Sequence, residues 1–192
     1  MLDKSIPFAR IIMKRDKCND VPLVELPDGF SFCLYKPGDE KAWAAIEASV
    51  LEFDDEQAAL EHFNGAFSKH TSELEKRCLF IENKNGDKVA TAMAWWDDSG
   101  GKRVARLHWI AVHPEYQGLG LGKAIISKTV ALALELEGNG DIYLMTQTWS
   151  YKAIGIYKQF GFYITDEKGS LNYDNADYEK ALEILKSLEV TK

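Results

Sequence analysis

The chain has 192 residues, 46% of them hydrophobic, which is enough to bury one proper core, so a single domain spanning 1–192 is expected. A formal charge of -7 and a pI near 5.2 argue against nucleic acid or an anionic membrane as the main partner, because both are reached through Lys/Arg patches. The amino-terminal "MLDKSIPFARIIMKR" has no continuous apolar run, and nothing approaches the roughly 18–20 residues of a membrane span, so a cytoplasmic protein is expected.

Taken in order, residues 5–15 ("SIPFARIIMKR") predict a short strand, followed by a polar, Pro-containing loop to Pro27. "GFSFCLY" (29–35) alternates like a strand, and "EKAWAAIEASVLEF" (40–53) has apolar residues at helical spacing. Helix is expected again over 55–77, with a break near Asn64-Gly65. "RCLFIEN" (77–83), a turn at Asn85-Gly86-Asp87 and "KVATAMAWW" (88–96) read as a hairpin. "DDSGGK" makes a second turn, and "VARLHWIAV" (104–112) a third strand. A helix to about Glu137, a strand over 142–148, a helix over 150–160 stopped by Gly161 and a strand over 162–165 follow. The tail, 174–189, has the pattern of an amphipathic surface helix. This order indicates a mixed α/β sheet.

The three cysteines, Cys18, Cys33 and Cys78, are odd in number, far apart and without zinc spacing. Cys33 and Cys78 sit in apolar runs, where buried free thiols suited to a reducing compartment are expected, and no metal site is implied.

Between the third strand and the helix lies "HPEYQGLGLGKAIIS" (113–127), with glycines at 118, 120 and 122. A strand that ends in a glycine turn opening a helix presents unpaired N–H groups in one direction, and with the helix dipole these form an anion site. Missing Cβ atoms let a phosphate approach the main chain. The P-loop pattern fails, because only three residues separate Gly118 from Gly122 and Ala124 follows Lys123. The Rossmann pattern fails on its spacing too.

"LHWIAVHPEYQGLGLGKAII" resembles the acetyl-CoA-binding motif of the GNAT superfamily of N-acetyltransferases, Q/R-x-x-G-x-G/A, at Gln117, Gly120 and Gly122. A second family signature, Y-x-x-x-G-F, is matched by Tyr157, Gly161 and Phe162. The resemblance implies an α/β (α+β) fold with a mixed, mostly antiparallel twisted sheet, flanking helices and splayed central strands. It implies a core over about 29–168, an extension over 1–28 and a helical tail. It further implies acetyl-CoA as cosubstrate, its pyrophosphate held by the backbone of Gln117, Gly118, Leu119, Gly120, Leu121, Gly122 and Lys123. Its pantetheine would pair with main-chain groups at Ile110, Ala111 and Val112. Ser150 stands where the family often has an Asn that contacts the cofactor; Ser can still cap the helix.

Acetyl transfer to an amine needs a neutral amine and a proton for the departing thiolate. By the resemblance, Tyr157 is the acid. "LHWIAVH" is similar to the stretch of arylalkylamine N-acetyltransferases in which a strand histidine takes the amine proton, which makes His108 the candidate base and Glu82 the alternative. Strand alternation puts Arg106, His108 and Ile110 on one face and Leu107, Trp109 and Ala111 on the other. Trp95, Trp96, Trp109 and Trp149 are expected near the acceptor pocket, as are Glu52, Asp54 and Asp55. His113 is expected to be structural, and His62 and His70 to lie on helix surfaces. The expected activity is acetyl transfer to a small-molecule or protein amine, without metal and compatible with a homodimer. The alternative is a non-catalytic acyl-CoA-binding or regulatory domain on the same scaffold.

Overall fold

The structure, a computed structural model, describes residues 2–17, 20–99 and 101–190; Cys18, and Gly100 of the expected second turn, lie outside the described residues. Seven strands form one sheet: β1 (Arg10–Arg15), β2 (Phe30–Leu34), β3 (Cys78–Asn83), β4 (Lys88–Ser99), β5 (Lys102–Val112), β6 (Ile142–Gln147) and β7 (Tyr163–Ile164). Their order across the sheet is β2-β3-β4-β5-β6-β1-β7, and every pairing is antiparallel except β5 with β6. The helices are α1 (Glu40–Ser49), α2 (Glu56–Phe67), α3 (Thr71–Arg77), α4 (Leu121–Glu137), α5 (Tyr151–Gln159) and α6 (Tyr178–Val190). This is the mixed, mostly antiparallel sheet flanked by helices that the resemblance implied.

The strand expected at 5–15 forms, but its place is unlike that of an appendage. β1 lies between β6 and β7, with Arg10 opposite Gln147 and Met13 opposite Ile164. Ile11, Ile12 and Met13 are fully buried there.

Helix ends depart from the sequence reading for local reasons. α1 stops at Ser49, not 53, because Leu51 turns with φ +71°. Asp55 then caps α2 by accepting the Ala58 amide at 2.8 Å. α2 runs through Asn64-Gly65, because Phe63 and Phe67 on either side anchor it in the core, which outweighs the roughly 1 kcal/mol that a helical glycine costs. The break comes instead at a 3-10 turn, Ser68–His70, before α3. β4 continues to Ser99 and β5 starts at Lys102, paired to each other, so the strands run further into "DDSGGK" than expected.

Side chains alternate between two cores. On one face α1, α2 and α3 pack Trp43, Phe63, Phe67 and Leu74 against Cys78, Phe80, Met93 and Trp95. On the other, α4 and α5 cover Leu79, Ile81, Leu107 and Leu144 with Leu121, Ile125, Ile126, Val130 and Ile154. Each such side chain contributes about 1.5–3 kcal/mol. α6 seats Ala181 in the second core near β1.

Candidate active site

β5 and β6 pair only from Ala105–Ile142 to Leu107–Leu144. Beyond Leu107, β5 stays with β4 as far as Val112, while β6 stays with β1 as far as Gln147. The two central strands therefore part at His108, and the edge of β5 beyond it faces a wedge. A bulge sits at the parting. Thr91 opposes Ala111 but Met93 opposes His108, so β5 carries an extra residue, and Trp109 takes φ +50°. Bulged residues are where strand alternation breaks. Leu107 and Ile110 pack on the α4 side, whereas Trp109 and Ala111 pack on the α1–α2 side. His108 stays on the latter side, its ring 4.9 Å from Trp109 and 6.5 Å from Phe67. The expectation that Ile110 shares the face of Arg106 and His108 is thus corrected: the bulge puts His108 and Trp109 together and turns Ile110 away.

At the end of β5, His113 Nδ1 accepts the Glu115 amide at 3.4 Å and opens a short 3-10 turn, a structural role as expected. Gln117 Nε2 donates to the Val112 carbonyl at 2.9 Å, so that carbonyl already has one partner. Gly118 and Gly120 both have positive φ, +82° and +86°, and Gly120 is the residue that starts α4. Here glycine is required by conformation. Gly122 has ordinary helical geometry, and a Cβ there would only touch Ile156 and Val112 at 3.8 and 3.9 Å. The amides of Lys123 and Ala124 donate to the Gly120 carbonyl, while those just before them head α4 outward. Leu119 is half-exposed and Lys123 exposed on this loop, and Leu121 is buried beneath it. This loop fits a diphosphate: a helix N-terminus with main chain free of side-chain cover.

Tyr157 lies on α5, buried, with its ring 6.3 Å from Phe162; its carbonyl accepts the amides of Phe160 and Phe162, which is how Gly161 ends the helix. Burial first, then the charges of Glu47 and Glu52, push its phenol well above the usual tyrosine range. The phenol stays protonated at neutral pH, as an acid must. His108 is driven well below the usual histidine range by burial, with the charges of Arg106 and His62 adding to it, so its imidazole is neutral. Its Nδ1 is buried without a hydrogen-bond partner. Arg106 is itself held by Asp97 at 2.6 Å.

Other expected residues scatter. Glu82 sits on β3, two strands from the wedge, opposite Lys88 and with its carboxylate 3.4 Å from Ser31 Oγ. It is not gathered with Tyr157 and His108. Trp95 is buried, stacked on Trp96 at 4.5 Å and edge-on to Phe67 at 5.1 Å. Trp149 is taken up by the amino-terminal segment: its Nε1 donates to the Ile6 carbonyl at 2.6 Å and Phe8 packs on it. Ser150 stands at the start of α5, where a Ser can cap, but its side chain makes no cap there. Glu52 accepts from Gln147 at 3.0 Å, linking the loop after α1 to the end of β6 across the wedge. His62 and His70 are exposed, yet His62 also packs 5.0 Å from Trp109. Among the described residues no group of three or more potential ligands is placed to hold a metal, and no helix is long and apolar enough to cross a membrane.

One residue escaped the sequence reading. Glu47, on the buried face of α1, is 1% exposed, and its Oε1 has no partner. The signal was there: an acid four residues after Trp43 and three after Ala44, on the apolar stripe.

The model of the acetyltransferase (GNAT) family matches residues 40–162. The chain belongs to that family. Among curated relatives it is 27% identical over 146 residues to the mycothiol acetyltransferase of Streptomyces coelicolor, covering 74% of this chain and 46% of that protein. It is 29% identical to the mycothiol acetyltransferase of Pseudarthrobacter chlorophenolicus, covering 74% and 45%. The chain thus spans about half the length of these relatives. In fold it is similar to a GCN5-related N-acetyltransferase from Sphaerobacter thermophilus (TM-score 0.61, 18% identity, 83% of this chain and 49% of that one). A predicted acetyltransferase with acetyl-CoA from Clostridium acetobutylicum is similar too (TM-score 0.56, 18% identity, 72% and 92%).

Proposed function

We propose that the protein transfers an acetyl group from acetyl-CoA to a primary amine by direct attack, with both substrates bound at once. The observation that carries this reading is the wedge between β5 and β6, which opens beyond Leu107–Leu144 at His108 and is followed in the chain by the Gly118–Gly122 loop, with Tyr157 in the same core cluster as Leu107 and Leu144. When bound, acetyl-CoA supplies an acyl carbon activated by a thiol leaving group.

The chain's own residues have three tasks. The amides of Gly118 to Gly122, ahead of the Lys123 amide that already donates to the Gly120 carbonyl, hold the diphosphate, and the edge of β5 at Ile110 and Ala111 receives the amide-bearing arm. His108, neutral and with a vacant Nδ1, takes one proton from the incoming ammonium and later gives it to solvent. Tyr157 gives its proton to the departing sulfur as the C–N bond forms and the C–S bond breaks; the nitrogen's second proton restores the phenol. The mycothiol acetyltransferases named above support a small-molecule amine as acceptor. The test is thiol release from acetyl-CoA with a panel of primary amines, with the product weighed by mass spectrometry. Acetyl-CoA binding without amine-dependent thiol release would leave only the non-catalytic reading.

A further inference from the structure

The face of the wedge under α1 carries polar atoms that the protein does not satisfy. Of six buried side-chain polar atoms without a partner among the described residues, three belong to rings that adjoin one another there, Trp43 Nε1, Trp109 Nε1 and His108 Nδ1, and a fourth, Glu47 Oε1, is on α1 one helical turn after Trp43. Trp43 is wholly buried, and its ring lies 5.2 Å from that of Trp109. A single orphan is a tolerable loss, but four on one face mark a place where something else completes the bonding.

The sign of that something follows from the charges. Glu47 has no salt bridge among the described residues. Its neighbours in charge are Glu52, the Tyr157 phenol and the Cys78 thiol, all acids, and the cations that act here, Lys4 and the amino-terminal ammonium, act on Glu52. Burial and Glu52 hold the Glu47 carboxyl well above the usual range. A carboxyl so held keeps its proton while the site is empty; an entering ammonium takes the place of that proton and pairs with the carboxylate, whereas another anion meets Glu52 and a place that burial already makes hostile to negative charge. Aromatic rings of Trp43, Phe53, His62 and Trp109, 5.0–6.4 Å apart, line the same region and favour an apolar or cationic body.

We infer that Glu47 is the residue that binds the acceptor's ammonium group, and that the acceptor is a primary alkylammonium with an apolar body and no carboxylate beside the amine. This rests on the acetyltransferase reading and names its substrate class. Glu47 holds the charged nitrogen on the α1 side of the wedge, the side on which His108 and Trp109 also pack. The repulsion of Glu47 and Glu52 excludes α-amino acids.

The CoA-bound protein is titrated with 2-phenylethylamine, with 2-phenylethanol, which lacks the charge, and with phenylalanine, which adds a carboxylate. Trp43 and Trp109 report binding through their fluorescence. The amine binds wild type about tenfold or more tightly than either comparison ligand, as a charge-assisted hydrogen bond to a buried carboxylate requires. In Glu47→Gln the amine falls to the level of the alcohol. Equal affinity for amine and alcohol in wild type overturns the assignment, as does a preference that survives in Glu47→Gln, or no binding of the amine at all. The wild-type comparison stands even where the variant folds poorly. Calorimetry with acetyl-CoA on the same proteins separates the two readings. Absence of the ammonium preference in wild type, or its survival in Glu47→Gln, with acetyl-CoA binding intact sinks only the Glu47 assignment; absence of acetyl-CoA binding in wild type sinks the acetyltransferase reading.

Discussion

Tyr157→Phe separates packing from chemistry at one atom. The ring is held by its own burial and by Phe162 at 6.3 Å, and the turn at Gly161 is held through the Tyr157 carbonyl, so neither depends on the hydroxyl. Removing that hydroxyl leaves the fold nearly unchanged, with a melting temperature within about 2–4 °C of wild type for a chain of this size. General acid catalysis contributes about 10²-fold or more, so kcat falls by at least that factor, equivalent to about 2.7 kcal/mol at 1.36 kcal/mol per tenfold. Burial and the two nearby acids raise the phenol above its ordinary value near 10, and the wild-type basic limb due to Tyr157 therefore lies above pH 10. The assay is steady-state thiol release from pH 6 to 10, with thermal unfolding and acetyl-CoA calorimetry on the same preparations. A variant with wild-type kcat, native stability and native acetyl-CoA affinity would reduce Tyr157 to a packed aromatic.

Two further substitutions test the site from other sides. Gly120→Ala forces a Cβ onto φ +86° and costs about 1–2 kcal/mol, with weaker acetyl-CoA binding, whereas Gly122→Ala meets only ordinary contacts at 3.8 and 3.9 Å and stays within about twofold by calorimetry; equal losses at both positions would contradict the conformational account. For His108, the folded pKa is depressed below 6.5, so activity is lost only as pH falls beneath that value, and His108→Gln lowers kcat and removes the acid limb. Stability follows the same sign: the unfolded chain protonates near 6.5 before the folded one does, so wild type loses stability below pH 6.5 relative to the variant, which denaturant titrations at pH 7 and 5 will register.

Most of the fold was legible because it is local. Alternation gave the hairpin strands β3 and β4, and the spacing of apolar residues gave α1, α4 and α5. The glycine loop was legible because positive φ at Gly118 and Gly120 demands that residue type. What failed depends on contacts distant in sequence. The partners of β1 are β6 and β7, and nothing in "RIIMKR" announces them. The bulge at Trp109 is invisible in "LHWIAV", because a tryptophan with φ +50° is tolerated only by the tertiary packing around it. Glu82 looked eligible as an acid at a strand end, but strand order puts β4 and β5 between it and the wedge. Glu47 is readable from the helical stripe as an acid on the apolar face of α1, but it belongs to neither family motif.

The place of β1 has a kinetic consequence. Its partner strand β6 ends at Gln147, opposite Arg10, more than a hundred residues later in the chain. At about 5–20 residues per second, β1 leaves the ribosome on the order of ten seconds before β6 exists. During that interval Ile11, Ile12 and Met13 have no sheet to enter, and β2 to β5 can assemble without them. Loop closure over such a span makes the joining of β1 a slow event late in folding. Until it happens, β6 has an open edge, and the half of the molecule that carries Tyr157 is the half most exposed to aggregation and proteolysis.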